Sequence, residues 1–358
     1  MKRVLLAMSG GIDSAVSAIL LQDQGYEVVG GHMVLEEEAG QGYGISGGCF
    51  GPRDVQSREA LAQTCELLGI ELHCVDLRPD FETQVLDYYR QAYLRGRTPN
   101  PCVVCNRQLK FGLLPQLLRN QGMEFDLFAT GHYARTGFHP GSGRWQLHKA
   151  ADQLKDQSYF LCLLSQEQLS STLFPLGDLS KAQVREIARD RGLVHLLGKA
   201  ESQDFVSEED HPLLFDQKQI QPGDMVGPEG NVIGQHRGLI HYTIGQRRHL
   251  GVSGMPEPWY VTGLDAENNR VSVGPQSFLF SSSLVAVDVN WVSILPIVAE
   301  TRAETKIRLA HHPAPCLVKP LDGGAVEVVF DQPQISVTPG QFAVIYLEDT
   351  LLGGGTIA

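Results

Sequence analysis

The first twenty residues dictate how this fold must begin. A strand-length apolar run, Val4-Leu5-Leu6, leads into Ala7-Met8-Ser9-Gly10-Gly11-Ile12-Asp13-Ser14. Apolar residues at helical spacing follow at Ala15, Val16, Ala18, Ile19 and Leu20. That is a strand, a tight turn and a helix in immediate succession. Ser9, Gly10 and Gly11 bring small side chains and permissive dihedrals. Their N–H groups can face a phosphate, next to the positive end of the helix dipole. A glycine-serine turn that merely caps a core helix is the bland alternative. The alternation continues with strands at Glu27–His32, Glu71–Val75 and Asp126–Ala129, and helices at Asp54–Leu68, Phe81–Arg95 and Phe111–Asn120. Such a rhythm predicts an α/β domain with a doubly wound parallel sheet. Ligands on these sheets bind beyond the carboxyl ends of the strands, where Ser9–Ser14 falls.

The texture changes later in the chain. Ser180-Lys181-Ala182-Gln183 is a capping box opening a helix to Arg191. Past about residue 205, short β-type runs dominate: Leu239–Ile244, Trp259–Leu264, Arg270–Val273, Leu284–Val289, Thr305–Ala310, Ala325–Phe330 and Gln341–Tyr346. At 358 residues the chain is too long for one ordinary core. The expected division is a catalytic domain at 1–205, a small β-rich central domain at 206–280, and a C-terminal β-barrel at 281–358. Neither an export signal nor an apolar stretch of membrane-spanning length is evident, so a cytoplasmic protein with no membrane partner is expected. Its seven cysteines then read as thiols, metal ligands or catalysts rather than a disulfide framework.

The Ser9–Ser14 loop is not a Walker A motif, since no G-x-x-x-x-G-K-[ST] occurs. It resembles the S-G-G-x-D-S pyrophosphate loop of ATP enzymes that adenylate a carbonyl or carboxylate. The second informative stretch is Thr98-Pro99-Asn100-Pro101-Cys102-Val103-Val104-Cys105-Asn106. A C-x-x-C pair serves as a redox couple, part of a zinc or iron–sulfur site, or a nucleophile with a neighbour. Arg107 and Lys110 stand close in sequence, and nearby cations raise a thiolate fraction. With A-T-G-H-Y-A-R at Ala129–Arg135, K-D-Q-S-Y-F-L at Lys155–Leu161 and Y-T-I-G-Q-R at Tyr242–Arg247, the chain resembles the bacterial tRNA-specific 2-thiouridylases. Asn290-Trp291, K-I-R at Lys306–Arg308 and G-Q-F-A-V at Gly340–Val344 extend the resemblance along nearly the whole chain.

That resemblance implies ATP-dependent adenylation of a uridine O2, followed by sulfur attack at C2 and departure of AMP. The implied substrate is the wobble uridine of tRNAs for Lys, Glu and Gln, with sulfur from a donor protein or free sulfide. By matched position, Ala7, Met8, Ser9, Gly10, Gly11, Asp13, Ser14, Met33 and Gly131 would hold ATP and Mg²⁺. Asn100, Pro101 and Cys102 match the segment that meets the base, and Cys105 the first catalytic cysteine. Cys102 and Asp13 join it as catalytic candidates. His132, Lys155, Asp156, Gln157, Arg308 and Gln341 match tRNA contacts. Two other readings are a different pyrophosphate-loop adenylating synthetase and a tRNA-binding relative that has lost sulfur transfer.

One departure stands out. The family carries a second catalytic cysteine in a segment like D-S-Q-x-x-C-F; here Glu201–Ser207 places Val206 at that position. Two sulfur routes stay open. Cys49, Cys102 and Cys105 could hold a 4Fe-4S cluster that binds external sulfide, or Cys102 and Cys105 could relay a persulfide with Cys49 incidental. Cys65, Cys74, Cys162 and Cys316 read as packing residues. A net charge of −12 argues against general affinity for nucleic acid, but not against a local basic face. Arg107/Lys110, Lys149/Lys155, Arg247/Arg248 and Lys306/Arg308 are expected to converge on one, with Tyr133, Tyr159 and Phe160 either stacking on bases or buried in the core.

Overall fold

A computed structural model describes residues 1–35, 55–198, 205–252, 254 and 257–358. The N-terminal region begins β1 (Arg3–Ala7), α1 (Ile12–Asp23), β2 (Glu27–Val34), α2 (Val55–Leu67) and β3 (Glu71–Asp76). The helices α3 (Arg78–Phe81) and α4 (Asp87–Leu94) run together through a π-helical stretch, Glu82–Leu86. The T-P-N-P-C segment opens a second composite helix: α5 (Pro101–Cys105), a π-helical Asn106–Leu113, and α6 (Leu114–Asn120). Strand β4 (Leu127–Thr130), the hairpin β5 (Arg135–His139) and β6 (Arg144–His148), α7 (Gln166–Ser170), β7 (Thr172–Leu173) and α8 (Lys181–Asp190) complete it. Asn100 caps α5 with its side chain, and Pro101 fills the first helical position, where no N–H is needed.

Five strands form a parallel sheet in the order β3-β2-β1-β4-β7. The order reverses direction at β1 and β4, so their carboxyl ends flank a switch-point crevice. Val4, Leu5 and Leu6 of β1 are fully buried, as a strand covered on both faces requires.

Past residue 205, the described residues contain only short 3₁₀ turns among strands. Four of these, β8 (Gly223–Val226), β9 (Val232–His236), β10 (Trp259–Asp265) and β11 (Arg270–Pro275), make a small sheet in the order β10-β11-β8-β9. The last six are β12 (Phe280–Trp291), β13 (Thr301–Lys306), β14 (Ala314–Pro320), β15 (Val326–Ile335), β16 (Phe342–Leu347) and β17 (Thr350–Ile357). They close into a barrel, because β12 pairs with both β15 and β17. The α/β architecture with a central β-rich unit and a C-terminal barrel is therefore as expected.

Three local expectations fail. Leu239–Ile244 is not a strand: Gly238, at φ 122°, turns the chain into a 3₁₀ turn at Leu239–His241. The run expected at Thr305–Ala310 is a strand only to Lys306, after which the chain turns and His311 N donates to the Arg308 carbonyl. Cys74 is exposed, because β3 is an edge strand, whereas Cys65, Cys162 and Cys316 are buried as expected.

The β5–β6 hairpin leaves the parallel sheet and pairs with β17, adding two strands to the barrel sheet. Arg144 donates to the carbonyls of Trp291 and Val292, Gln166 to that of Val292, and Asn290 to those of Cys162 and Leu164. Phe342, Val344, Tyr346 and Leu351 of the barrel share one apolar cluster with Leu5, Leu114 and Tyr159. Barrel and parallel-sheet region thus bury a common core.

Candidate active site

The nucleotide-loop candidates gather at the end of β1. Gly10 adopts φ 80°, a conformation that side-chain-bearing residues resist. Ser14 Oγ donates to the Gly11 carbonyl at 3.0 Å and accepts from Ser9 N at 3.3 Å, closing the loop on itself. Asp13 enters the first turn of α1, and Tyr133 Oη donates to its Oδ1 at 2.9 Å. Lys181 Nζ pairs with both Asp13 oxygens, at 2.8 and 2.9 Å. Gly131, one residue past β4, backs directly onto the loop. A Cβ there would lie 3.0 Å from Asp13 C and 3.0 Å from Ser14 N. Met33 lies half-buried on β2 against the main apolar cluster.

The residue after Gly131 leads toward the thiols. His132 follows Gly131, stacks on Phe111 at 5.8 Å between ring centroids, and shares a 2.8 Å hydrogen bond between its Nδ1 and Thr130 Oγ1. Burial, then the Lys110 cation, holds its pKa well below the usual histidine range. The same ammonium acts on Cys102 and Cys105. One lysine is therefore electrostatically coupled to His132 and to both cysteines. Gly131 and His132 join the nucleotide loop to the thiol pair.

The expected thiolate enrichment does not occur. Burial outweighs Lys110 and pushes Cys105 up to about 11, with Cys102 adding to the rise; Cys102 itself is also raised by burial. Both are thiols at neutral pH, and Lys110 limits the shift. Val206 packs on the same apolar cluster as Cys105. Its neighbour Phe205 lies 5.1 Å from the Tyr89 ring. Cys49 lies outside the described residues, as do Glu201–Asp204. Among the described residues no group of three His, Cys, Asp or Glu side chains is placed to hold a metal ion.

The segment entering α5 is clamped from both downstream units. From the barrel side, Gln341 Nε2 donates to the carbonyls of Thr98 and Pro99 at 2.9 and 3.1 Å. Thr98 N donates to the Pro339 carbonyl at 2.9 Å. Gly340 packs so closely that a Cβ would meet Thr98 N at 3.0 Å. From the central unit, Thr98 Oγ1 donates to Thr243 Oγ1 at 3.2 Å. Arg308 Nη1 donates to the Ile335 carbonyl at 3.1 Å, beside Ser336, which a Cβ on Gly245 would strike. In this structure Gln341 and Arg308, matched to tRNA contacts, hold backbone around the junction.

Asp156 and Gln157 are likewise spent internally. Asp156 accepts from Ala150 N, Ser158 N and Ser158 Oγ, and Gln157 Oε1 accepts from Tyr133 N. Lys155 N donates to the Asp152 carbonyl. Tyr133 and Tyr159 are buried core residues, so they are not stacking surfaces; Phe160 is half-buried. Lys306 lies over the Tyr159 ring at 5.9 Å, and the Lys149 cation joins burial in lowering its pKa. Both ammonium groups have anionic or carbonyl partners: Asp156 acts on Lys306, and Lys149 Nζ donates to the Glu348 carbonyl and lies 3.9 Å from Glu304, while Arg247 and Arg248 are exposed on the central unit.

Sequence reading missed Lys181, the Tyr133 hydroxyl and Thr243 as members of this neighbourhood. One signal existed for Lys181. A cation in the first turn of a helix opposes the helix dipole, so its position calls for a reason other than helix stability.

Comparison with known proteins gives a consistent result. Residues 2–207 match the family described as tRNA methyl transferase HUP domain. Residues 213–275 match the tRNA methyl transferase PRC-barrel domain, and 281–357 the aminomethyltransferase beta-barrel domain. The tRNA-specific 2-thiouridylase MnmA of Endomicrobium trichonymphae is 43% identical over 358 residues, covering 99% of this chain and 98% of its own. That of Trichormus variabilis is 45% identical over 361 residues, covering 100% and 99%. A solved NMN synthetase from Francisella tularensis aligns with TM-score 0.33 at 17% identity, over 58% of this chain and 71% of its own.

Proposed function

From the premise that this chain belongs to the tRNA-specific 2-thiouridylase family, we propose that it replaces O2 of a tRNA uridine with sulfur at the expense of ATP. The observation that carries this reading is the junction at β4: Gly131 abuts Asp13 and Ser14, and the next residue shares the Lys110 field with Cys102 and Cys105. A base seated between loop and thiols would have an activating group on one side and a sulfur carrier on the other.

The chemistry then runs in two displacements. Uridine O2 attacks the α-phosphorus of ATP, the α–β bridging bond breaks, and pyrophosphate leaves toward the N–H groups of Ser9–Gly11. Asp13 is the oxygen donor suited to Mg²⁺, which supplies charge neutralisation on the phosphates. The terminal sulfur of a persulfide, charged by an external donor, attacks C2, and the C2–O2 bond breaks to release AMP. The second thiol attacks the inner sulfur, which frees the thiocarbonyl and leaves a Cys102–Cys105 disulfide. An external thiol reductant restores both cysteines. The reaction needs no cysteine at position 206. With Cys49 outside the described residues, no step is assigned to an iron–sulfur cluster.

The wobble uridine of tRNAs for Lys, Glu and Gln is the proposed target. Although the matching families are described by methyl transfer, a paired thiol beside an adenylating loop supports sulfur transfer. The test is thiolation of tRNA by anaerobically purified protein, repeated with Cys49→Ala, Cys102→Ala and Cys105→Ala. Loss of activity in the last two alone supports the paired relay. Loss in all three, with iron and sulfide present in wild type, replaces it with a three-thiol cluster. ATP–pyrophosphate exchange with small acids and without tRNA would favour a different synthetase.

A further inference from the structure

Lys181 belongs to none of the functional motifs above, yet its ammonium sits at the nucleotide loop. The residue is only 8% exposed and reaches both oxygens of Asp13. It is the first residue of α8, after the Ser180 cap, so its charge lies at the positive end of that helix. Helix stability does not account for the placement. Packing accounts for it poorly, since the Lys181 side chain gives up most of its hydration to meet an Asp13 carboxylate that is still 31% exposed, and such a pair contributes little net stability. A polyphosphate does account for it. The amides at the start of α1 favour an anion, but the Asp13 carboxylate in that first turn repels one unless a cation offsets it.

We propose that Lys181 is a nucleotide-site residue that trades partners with Mg²⁺. The metal, which requires oxygen ligands, takes the Asp13 carboxylate. The ammonium turns to the β- and γ-phosphate oxygens and holds the pyrophosphate as the α–β bridging bond breaks. This rests on the reading that the Ser9–Ser14 loop binds ATP.

Trading partners predicts opposite effects on two ligands, which a simple brace between α8 and α1 does not. Mn²⁺ binding, read by its paramagnetic relaxation, and pyrophosphate binding, read by calorimetry, are measured on wild type, Lys181→Gln and Lys181→Arg, with melting temperatures in parallel. Removing the charge should weaken pyrophosphate by about tenfold or more, the effect expected for one charge-assisted hydrogen bond. It should at the same time tighten Mn²⁺, whose competitor for Asp13 is gone. Lys181→Arg should keep most of the pyrophosphate affinity, and it carries the test if the Gln variant does not fold. A folded Gln variant with both affinities unchanged, or both weakened together, overturns the inference and leaves Lys181 a brace. If wild type binds neither pyrophosphate nor ATP, the nucleotide reading beneath it falls as well.

Discussion

Cys105 carries the most exacting consequence at the level of single residues. Its thiol is pushed up to about 11, so sulfur chemistry at neutral pH begins from a protonated group. Its alkylation by iodoacetamide, followed by peptide mapping, should rise about tenfold per pH unit across the alkaline range and level off only near that value. Lys110 lowers both cysteines, so Lys110→Ala should slow alkylation at a fixed alkaline pH. A plateau near pH 8 would mean the thiol is far less buried than the structure has it. Gly131 is the second exacting position. Its backbone angle does not demand glycine, but a Cβ would press on Asp13 and Ser14 backbone at 3.0 Å. Gly131→Ala should cost about 1–3 kcal/mol, as overpacking does, and weaken ATP binding measured by calorimetry. Unchanged affinity would detach Gly131 from the loop. The Ser9–Ser14 loop was legible in sequence because strand, glycine turn and helix are contiguous. Lys181 was not, since its pairing with Asp13 spans the fold.

Among the elements, the entrance to α5 is where the three parts of the chain meet. Thr98 is held by Thr243, Pro339 and Gln341, so the position of the segment bearing the thiols is fixed partly by the barrel and the central unit. A chain of contacts continues inward: Thr243 to Tyr93, Tyr93 to Tyr89, and Tyr89 Oη to His211 Nδ1 at 2.7 Å. Because a carbonyl cannot donate, His211 Nε2 carries the proton given to Ile240 O, and Nδ1 accepts from Tyr89. Phe205 packs on this block, tying the segment beside Val206 to the one before Cys102. Gln341→Ala and Thr243→Val each remove two hydrogen bonds, so each should destabilise by about 2 kcal/mol and lower kcat for thiolation with little change in KM for tRNA. A rise in KM alone would return Gln341 to direct tRNA contact. Strand and helix order was readable from periodicity and turn residues. The switch of β5–β6 to the barrel sheet was not, because short hairpins carry no mark of the sheet they join. Leu239–Ile244 misled because Gly238 redirects an otherwise strand-like run.

For the whole molecule, histidine sets the response to acid. His132, His148, His211, His241 and His311 are all lowered in the fold, burial being the main cause in each, and His241 falls to about 4. Below the ordinary value of 6.5 the unfolded chain takes up protons that the folded chain refuses. The histidine contribution to stability should therefore be full above that value and be lost as pH falls below it, down to about 4 for His241. The urea midpoint should drop from pH 7.5 to pH 5 in proportion to the protons taken up on unfolding. A flat profile would mean these histidines are solvated. Lowered carboxylates at Asp76, Asp265 and Asp331 lose their contribution only at more acid pH. With a net charge of −12 the molecule offers tRNA no general attraction, so binding would rest on local phosphate contacts and tRNA affinity should fall steeply with salt. The central claim is that uridine O2 leaves on AMP, and one isotope experiment tests it most directly. A substrate tRNA carrying ¹⁸O at uridine O2 is thiolated with ATP and a sulfur donor, and the nucleotide product is analysed by mass spectrometry. Thiolated tRNA together with ¹⁸O in the AMP phosphate is the predicted result. Unlabelled AMP, or ADP in its place, alongside thiolated tRNA would contradict it.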